Sequence, residues 1–340
     1  MDGRQNRREA LLTLLAAGTA SVAGPVWSQT LDLVPDAALD LRVMFFNTHL
    51  LPSIAQTIAG HRGQDDYRTA AIAAQLHRYD LVGLSEVFEA RRRDEIIRTV
   101  QENSEGAYHT VCSPKAAGRH LVCGGLLLLS RFPIEGEPHF RTYKCASRVY
   151  THGIKADGLA AKGVIHARLR LSDDLVVDCF LTHLESISAK ARARQVAQLA
   201  EFVAEHSSPD RPLLVMGDMN IAADFPSAAP ATAPPASTAS SEYRLLLDSL
   251  RHGDKKLVDL WAASHATRGG TRDALAKEDC NRIDYILLSP PHDDGAISWE
   301  PASVRVEPFL DANVKQGSLS DHAAIECRLS LRPAYQEARR

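Results

Sequence analysis

Runs of apolar residues along this chain repeatedly end at or near a polar side chain that could take part in chemistry. The segments are MFFNTHLLP with Asn47, LVGLSEVF with Glu86, VDCFLTHLES with His183, LLVMGDMN with Asp218 and Asn220, RIDYILLS with Asp284, and GSLSDH with Asp321 and His322. Short, continuous apolar runs of this kind are typical of buried strands. We therefore expect carboxylate, amide and imidazole groups to converge at one edge of a sheet.

Strand-like runs alternate with helix-like patterns from residue 41 onward. The predicted strands are 41–47, 80–85, 124–130, 163–171, 175–182, 212–217, 282–289 and 322–331. Helices are predicted over about 66–78, 90–102 and 188–205. In the last of these, apolar residues recur at i, i+3, i+4 and i+7. Strands in two sets, with helices between and outside them, predict a layered α/β sandwich.

The carboxylate and amide groups at these strand ends suit a hard metal ion bound next to a phosphoester. Glu86 offers the oxygen ligand that Mg²⁺ prefers, and Asn47 could orient a catalytic group. Asp218 and Asn220 lie two apart, on one side of an extended chain, where they could hold a water or a phosphate oxygen. A surface glutamate and a turn-capping Asp/Asn pair are the alternatives.

Two histidines and a lysine are candidate acid–base and charge-stabilising groups. His322 could be a general base, oriented by its neighbour Asp321 or by the distant Asp284. His183 could help a leaving oxygen depart, and Lys162 could contact a phosphate oxygen as a point charge. A structural histidine and an exposed lysine are the alternatives. The sequence has no GxSxG, HExxH or Walker motif that would favour a different catalytic scheme.

The N-terminus has the features of an export signal. A twin arginine, Arg7-Arg8, precedes a short apolar stretch rich in Ala, Gly and Thr, and a small–large–small site follows at Val26-Trp27-Ser28. We predict a twin-arginine signal over 1–28 and an exported protein, periplasmic or secreted. An N-terminal membrane anchor is the alternative, which the short apolar stretch disfavours.

After a lead-in at 29–40, we predict one catalytic domain over 41–332 and a tail at 333–340. The segment 224–241 is rich in Pro, Ala and Ser, so it cannot bury much apolar area and is predicted to be a mobile loop. A domain boundary is the alternative. The motifs beyond this segment complete the site begun before it, which favours a loop within one domain.

Composition supports a globular chain and disfavours a nucleic-acid binder. The chain is 45% hydrophobic and 24% charged, which is enough for a sizeable core. Its formal charge is −3, and it is −4 without residues 1–28, which hold three arginines and two acids. A basic face is the usual mark of nucleic-acid binding, so we expect no stable nucleic-acid complex.

The six cysteines permit disulfides in an exported protein. Cys179 and Cys327 alternate with apolar residues in predicted strands, so they are interpreted as buried free thiols. Cys112, Cys123 and Cys145 are the better candidates for pairing. The absence of a CxxC motif disfavours a thiolate zinc site.

The order of the motifs resembles the endonuclease/exonuclease/phosphatase superfamily, also called DNase I-like. Within it, the chain is similar to the neutral sphingomyelinases of the bacterial sphingomyelinase C group. That similarity is carried by NTHLLP (47–52), SEVF (85–88), CGGLLLLSRFPI (123–134), ADGLAAKGV (156–164) and SEYRLLLDSL (241–250), in patches across about 41–332. The resemblance implies a four-layer α/β sandwich, in which two mixed β-sheets pack face to face with helices outside.

The resemblance also implies an activity and its metal ion. Sphingomyelin would be hydrolysed to ceramide and phosphocholine with Mg²⁺, for which Mn²⁺ or Co²⁺ could substitute. Glu86 would be the central metal ligand, with Asn47 beside it and Asp321 at the edge of the metal site. The expected partner is a phospholipid at a membrane surface, and the protein is expected to be a monomer.

Catalytic roles follow from the same resemblance. Asp218 and Asn220 would bind the phosphate and position the attacking water or a second metal. His322, next to the metal, would be the general base, oriented by a carboxylate such as Asp284. His183 would assist the leaving alkoxide. Lys162, with Asp157 nearby, would shape the phosphate pocket.

The chain departs from that group at the surface that would meet a membrane. Secreted bacterial members carry an aromatic-tipped hairpin before the final Ser-Asp-His, whereas here residues 307–322 offer only Phe309 and Leu310 as apolar anchors. Phe88, Trp261 and Tyr285 are the candidates for contacting a choline group. A secreted nuclease or another phospholipase C-type phosphodiesterase on the same fold remains the alternative function.

Overall fold

The apolar runs form strands that are buried on both faces. The computed structural model describes residues 39–53, 64–147, 157–223, 240–265, 269–275, 281–290 and 297–333. In the first strand, Val43 and Phe45 pack into one apolar cluster, while Met44 and Phe46 pack into another on the opposite face. Because neighbouring residues of a strand face opposite ways, a sheet covered on both faces needs such a continuous apolar run.

The described residues form fourteen strands and five α-helices. The strands are β1 (Leu39–Leu50), β2 (Leu81–Val87), β3 (His109–Cys112), β4 (Leu127–Ser130), β5 (Ile134–Thr142), β6 (Gly163–Ser172), β7 (Leu175–His183), β8 (Leu213–Asp218), β9 (Arg251–His252), β10 (Lys255–Lys256), β11 (Val258–Asp259), β12 (Asp284–Leu288), β13 (Ile297–Glu307) and β14 (Ala324–Pro333). The helices are α1 (Asp65–Leu76), α2 (Ala90–Glu102), α3 (Ala189–His206), α4 (Ser241–Ser249) and α5 (Leu260–Ser264).

Twelve of these strands form two six-stranded sheets. The first has the order β13-β14-β1-β2-β4-β3 and the second has the order β11-β12-β8-β7-β6-β5, while β9 and β10 pair separately. Both sheets are mixed, because β1 and β2 run parallel, as do β7 and β8, and the other pairs are antiparallel.

The sheets pack face to face with helices on their outer faces. Phe45 of β1, Leu181 of β7 and Met216 of β8 share the cluster between the sheets. The outer face of the first sheet packs against α1 and α2, and that of the second packs against α3 and α4. The four-layer sandwich is therefore confirmed.

Several boundaries differ from the sequence prediction. The first strand begins at Leu39, inside the expected lead-in, and the last ends at Pro333. Strands β3, β5 and β13 and the two-residue strands β9, β10 and β11 were not predicted. Ser240 caps α4, so the end of the segment 224–241 is helical, while residues 224–239 and the expected signal at 1–28 lie outside the described residues.

The cysteine pairing suggested by sequence is wrong for the cysteines that the structure describes. Cys112, Cys123 and Cys145 are free thiols, and Cys280 lies outside the described residues. Cys179 and Cys327 are buried and free, as expected. Within the described part of the chain, none of the helices has the length and apolar character needed to cross a membrane.

Candidate active site

Polar side chains from both sheets meet where the parallel strand pairs end. Asn47 of β1 and Glu86 of β2 come from the first sheet. His183 of β7 and Asp218 of β8 come from the second sheet, where they are paired in register. Asp284 begins β12 directly opposite Asp218. The predicted convergence is thus confirmed, and it brings the two sheets to one site.

A hydrogen bond from Asn47 connects the two sheets. Its amide nitrogen Nδ2 lies 2.9 Å from Asp218 Oδ2 and 3.3 Å from Glu86 Oε1. Asn47 is buried, and its Oδ1 accepts a bond from the backbone of His49. Asn47 therefore holds two carboxylates at a common point.

The backbone near this point takes unusual conformations. Glu86 has φ 60° and Asn220 has φ 51°, in the left-handed region that side-chain-bearing residues seldom adopt. A Cβ on Gly217 would lie 2.2 Å from the carbonyl oxygen of Thr182 on the neighbouring strand, so the residue before Asp218 must be glycine. Such strain is concentrated at functional sites.

Asp218 and Asn220 form a turn as well as part of the site. Asp218 Oδ1 accepts a bond from the Asn220 backbone at 2.9 Å, and Asn220 Nδ2 donates to the carbonyl of Leu184 at 3.0 Å. Asp218 Oδ1 therefore caps a turn, as the alternative interpretation of the sequence expected. The other oxygen, Oδ2, faces Asn47 and both histidines.

His322 is oriented by Asp284. Its Nδ1 lies 2.9 Å from Asp284 Oδ2, and its Nε2 lies 3.9 Å from Asp218 Oδ2. Asp284 is fully buried. Burial opposes the positive charge, but the carboxylates of Asp284 and then of Asp218 outweigh it and raise the pKa of His322 to about 10. Of the two suggested orienting partners, the distant Asp284 is the one in contact.

His183 contacts Lys162 and lies in a different electrostatic environment. Lys162 is buried and its Nζ lies 2.8 Å from Asp157 Oδ2 and 3.0 Å from His183 Nε2, so the exposed-lysine alternative is wrong. Burial, followed by the charge of Lys162, lowers the pKa of His183 to about 3. Because an ammonium can only donate, His183 Nε2 accepts, and the imidazole is neutral.

The donor set suits a hard divalent cation. Burial raises the pKa of the Glu86 carboxyl to about 7, and its Oε2 has no hydrogen-bond partner among the described residues. Asp284 Oδ1 likewise has none. Asp218, Asp284 and His322 place one potential ligand atom each within 4.8 Å of one another. Buried carboxylate oxygens without donors are what an oxygen-liganded ion requires.

Asp321 lies at the rim of the site, where its carboxylate pairs with His49. Its side chain is 45% exposed, and its Oδ1 lies 3.1 Å from Nδ1 of His49. Its charge contributes to the raised pKa of Glu86. His49 was not singled out from the sequence, although it belongs to the same NTHLLP segment as Asn47.

The positioning residues Arg68 and Ser320 were also missed. Arg68 is buried on α1 and donates to the carbonyls of Thr48 and Leu319 at 2.6 and 2.7 Å. Ser320 Oγ donates to the carbonyl of Asn47 at 2.7 Å and accepts from the backbone of His322. The serine of Ser-Asp-His was a visible signal, but nothing in sequence marks Arg68, which is 251 residues from Leu319.

Two of the three aromatic candidates for contacting a choline group are buried in the core. Tyr285 is fully buried and bonds the carbonyl of Ile221, and Trp261 is buried against His265, so these two candidates are wrong. Phe88 is half-buried. Of the two expected apolar anchors, Phe309 packs inside against Phe46, and Leu310 is 64% exposed.

Comparison with known proteins agrees with this fold and identifies the family. A model of the Endonuclease/Exonuclease/phosphatase family matches residues 44–322, which include all the residues of the site. A sphingomyelinase from Dictyostelium discoideum is 25% identical in an alignment of 197 positions that covers 47% of this chain and 41% of that protein. The match thus spans less than half of the relative's length.

Solved structures share the fold at low sequence identity. Sphingomyelinase C from Streptomyces griseocarneus is 19% identical, with a TM-score of 0.59 over 85% of this chain and 99% of that one. A variant of beta toxin from Staphylococcus aureus with bound magnesium ions is 17% identical, with a TM-score of 0.60 over 85% of this chain and 99% of that one.

Proposed function

The chain belongs to the Endonuclease/Exonuclease/phosphatase family, and we propose that it is a secreted, Mg²⁺-dependent phosphodiesterase that cleaves sphingomyelin to ceramide and phosphocholine. The observation that carries this proposal is the imidazole of His322, held by Asp284 at 2.9 Å beside the carboxylates of Glu86 and Asp218. That arrangement pairs an oriented base with oxygen ligands for a cation.

The cation would be held by Glu86, with Asn47 and Asp218 beside it and Asp321 at the rim. Glu86 Oε2, which has no hydrogen-bond partner in the described part of the chain, supports this assignment. When bound, Mg²⁺ supplies Lewis-acid stabilisation of charge on the phosphoryl oxygens, and its positive charge opposes protonation of His322.

His322 is the proposed base toward water. Because Asp284 accepts only, it fixes the proton on Nδ1 and leaves the Nε2 lone pair free to take a proton from the attacking water. The water oxygen then bonds to phosphorus as the bond from phosphorus to the ceramide oxygen breaks. Asp218 Oδ2 lies 3.9 Å from His322 Nε2, and Asp218 and Asn220 are the proposed groups that orient the phosphate and the water.

The leaving alkoxide requires a proton or a nearby positive charge. Lys162 supplies the positive charge through the ammonium that donates to His183 Nε2 at 3.0 Å, and the alkoxide takes its proton from solvent water. Asp157 holds the ammonium from the other side. This pair is the proposed stabiliser of the departing ceramide oxygen.

Sphingomyelin is proposed as the substrate because the curated relative is named a sphingomyelinase and a structural neighbour is a sphingomyelinase C. The acidic formal charge of −3 disfavours nucleic acid, whose phosphate backbone favours basic surfaces.

The test is phosphocholine release from sphingomyelin vesicles by the purified chain, with Mg²⁺ and with chelator. His322→Ala should abolish release, and the control His109→Ala, an exposed histidine of β3, should leave it unchanged. Cleavage of detergent-dispersed lipid alone would place the defect in membrane contact. Plasmid nicking without any lipid cleavage would replace this proposal with a nuclease.

A further inference from the structure

Three histidines meet on the outer face of the second sheet, away from the active site. His139 of β5 and His166 of β6 are directly opposite each other, and His206 is the last residue of α3. One ring nitrogen from each lies within 4.8 Å of the others. Phe180, the strand partner of His166, also faces outward, whereas His183 lies on the opposite face of the same strand.

His166 is held in one orientation by a carboxylate. Its Nε2 lies 2.9 Å from Oδ1 of the fully buried Asp178. Asp178 also accepts bonds from Arg211 Nε at 3.0 Å and from the Ser208 backbone at 3.1 Å. A carboxylate that accepts three donors fixes the ring proton on Nε2, so the lone pair of His166 is on Nδ1 and points to the other histidines.

The spacing of the nitrogens suits a tetrahedral ion. His166 Nδ1 and His139 Nδ1 are 3.4 Å apart. With Zn–N bonds of about 2.0–2.1 Å, the edge of a coordination tetrahedron is about 3.3–3.4 Å. His206 stacks on His139, with ring centroids 4.3 Å apart and 27° between the ring planes, and its centroid lies 5.6 Å from that of His166, so its ring must turn to direct a nitrogen at the same ion.

We propose that His139, His166 and His206 form a second metal site that binds Zn²⁺ and clamps the end of α3 onto β5 and β6. Imidazole nitrogen suits zinc, and a carboxylate behind one ligand is the usual support of such a site. His139 is exposed, so water can complete the coordination. The site does not depend on the reaction proposed for the other face.

The test is calorimetric titration of the full chain with Zn²⁺ in excess Mg²⁺, because Mg²⁺ prefers oxygen ligands and leaves imidazole groups free. The parent and His109→Ala should bind one Zn²⁺ at this site with equal affinity. His139→Ala and His206→Ala should bind it about tenfold or more weakly. Zn²⁺ should raise the melting temperature of the parent and of His109→Ala, but not of His139→Ala or His206→Ala.

A hydrogen bond between His139 and His166 is the arrangement to be distinguished from metal binding. Zn²⁺ affinity that is the same in parent, His139→Ala and His206→Ala would overturn the proposal, as would no Zn²⁺ binding by the parent. Asp178→Asn leaves all three ligands in place and should lower Zn²⁺ affinity about 10–100-fold. A tetrahedral Co²⁺ absorption spectrum in the parent, lost in His139→Ala, would support the geometry.

Discussion

Replacing Arg68 with methionine should destabilise the protein and disturb two parts of the active site together. Arg68 donates to the carbonyls of Thr48 and His49, which follow Asn47, and to that of Leu319, which lies three residues before His322. It also pairs with Asp65 at 2.8 Å. One side chain thus ties the end of β1 to the segment that carries the proposed base.

The expected loss follows from the groups that Arg68→Met leaves behind. Each buried acceptor that loses its donor costs about 1–3 kcal/mol, and a broken buried ion pair costs about 3–5 kcal/mol. Asp65 still pairs with Arg92 at 3.4 Å in the variant, which lowers the cost of breaking its ion pair with Arg68. The two buried carbonyls and the remaining part of the ion-pair cost give an expected loss of at least about 4 kcal/mol, a large part of the about 5–15 kcal/mol of a typical domain.

Urea unfolding measures this loss, and Arg91→Met is the matched control. Arg91 also pairs with an aspartate, Asp66, but both side chains are more than half exposed, so its loss should cost at most about 1 kcal/mol. Arg68→Lys keeps the charge and should fall between the two, with kcat reduced in the folded protein. Equal losses for Arg68→Met and Arg91→Met would refute the reasoning.

Two further predictions concern acid stability and contact with lipid. Burial raises the pKa of Asp178, but hydrogen bonds from His166 and Arg211 outweigh it and hold the pKa below its usual value. The ionised carboxylate therefore stabilises the fold above about pH 4, the pKa of an aspartate in the unfolded chain. This contribution is lost as the pH falls through the lower pKa of the native state. In chelator, urea midpoints of Asp178→Asn and its parent should therefore converge in acid, and a constant difference would contradict this. Leu310→Asp should lower vesicle hydrolysis about tenfold or more without affecting detergent-dispersed lipid, because a buried leucine contributes about 1.5–3 kcal/mol. Leu245→Asp, an exposed leucine of α4, is the control, and an equal loss in both variants would contradict a special contact at Leu310.

The central strands were predictable because both their faces are buried, whereas edge strands were not. β5 reads IEGEPHFRT, with a proline and a glycine and mostly exposed or half-buried side chains. Its pairing with β6 makes it a strand, and that partner is not visible in its own residues. β3 and β13 are likewise at or next to the sheet edges, where a continuous apolar run is not required.

The site was predictable where its residues end buried strands, and not where they come from elsewhere. Glu86, Asp218 and Asp284 follow or begin apolar runs, so their convergence follows from the arrangement of the sheets. Arg68 lies on α1 and reaches the site only through tertiary contacts. The choline candidates Trp261 and Tyr285 were wrong because an aromatic residue next to a site motif is equally well suited to the core.

The active site is divided between the two sheets, so the distances between its residues depend on how closely the sheets approach each other. Glu86 and Asp218 belong to different sheets, and Asn47 spans them with bonds of 3.3 and 2.9 Å. Three residues before Glu86, a Cβ on Gly83 would lie 2.7 Å from Leu181 and 2.9 Å from Met216 of the opposite sheet. Any side chain at that position must displace a close-packed neighbour or separate the sheets. The absence of a side chain at Gly83 therefore lets Leu181 and Met216 pack directly against β2, three residues before Glu86.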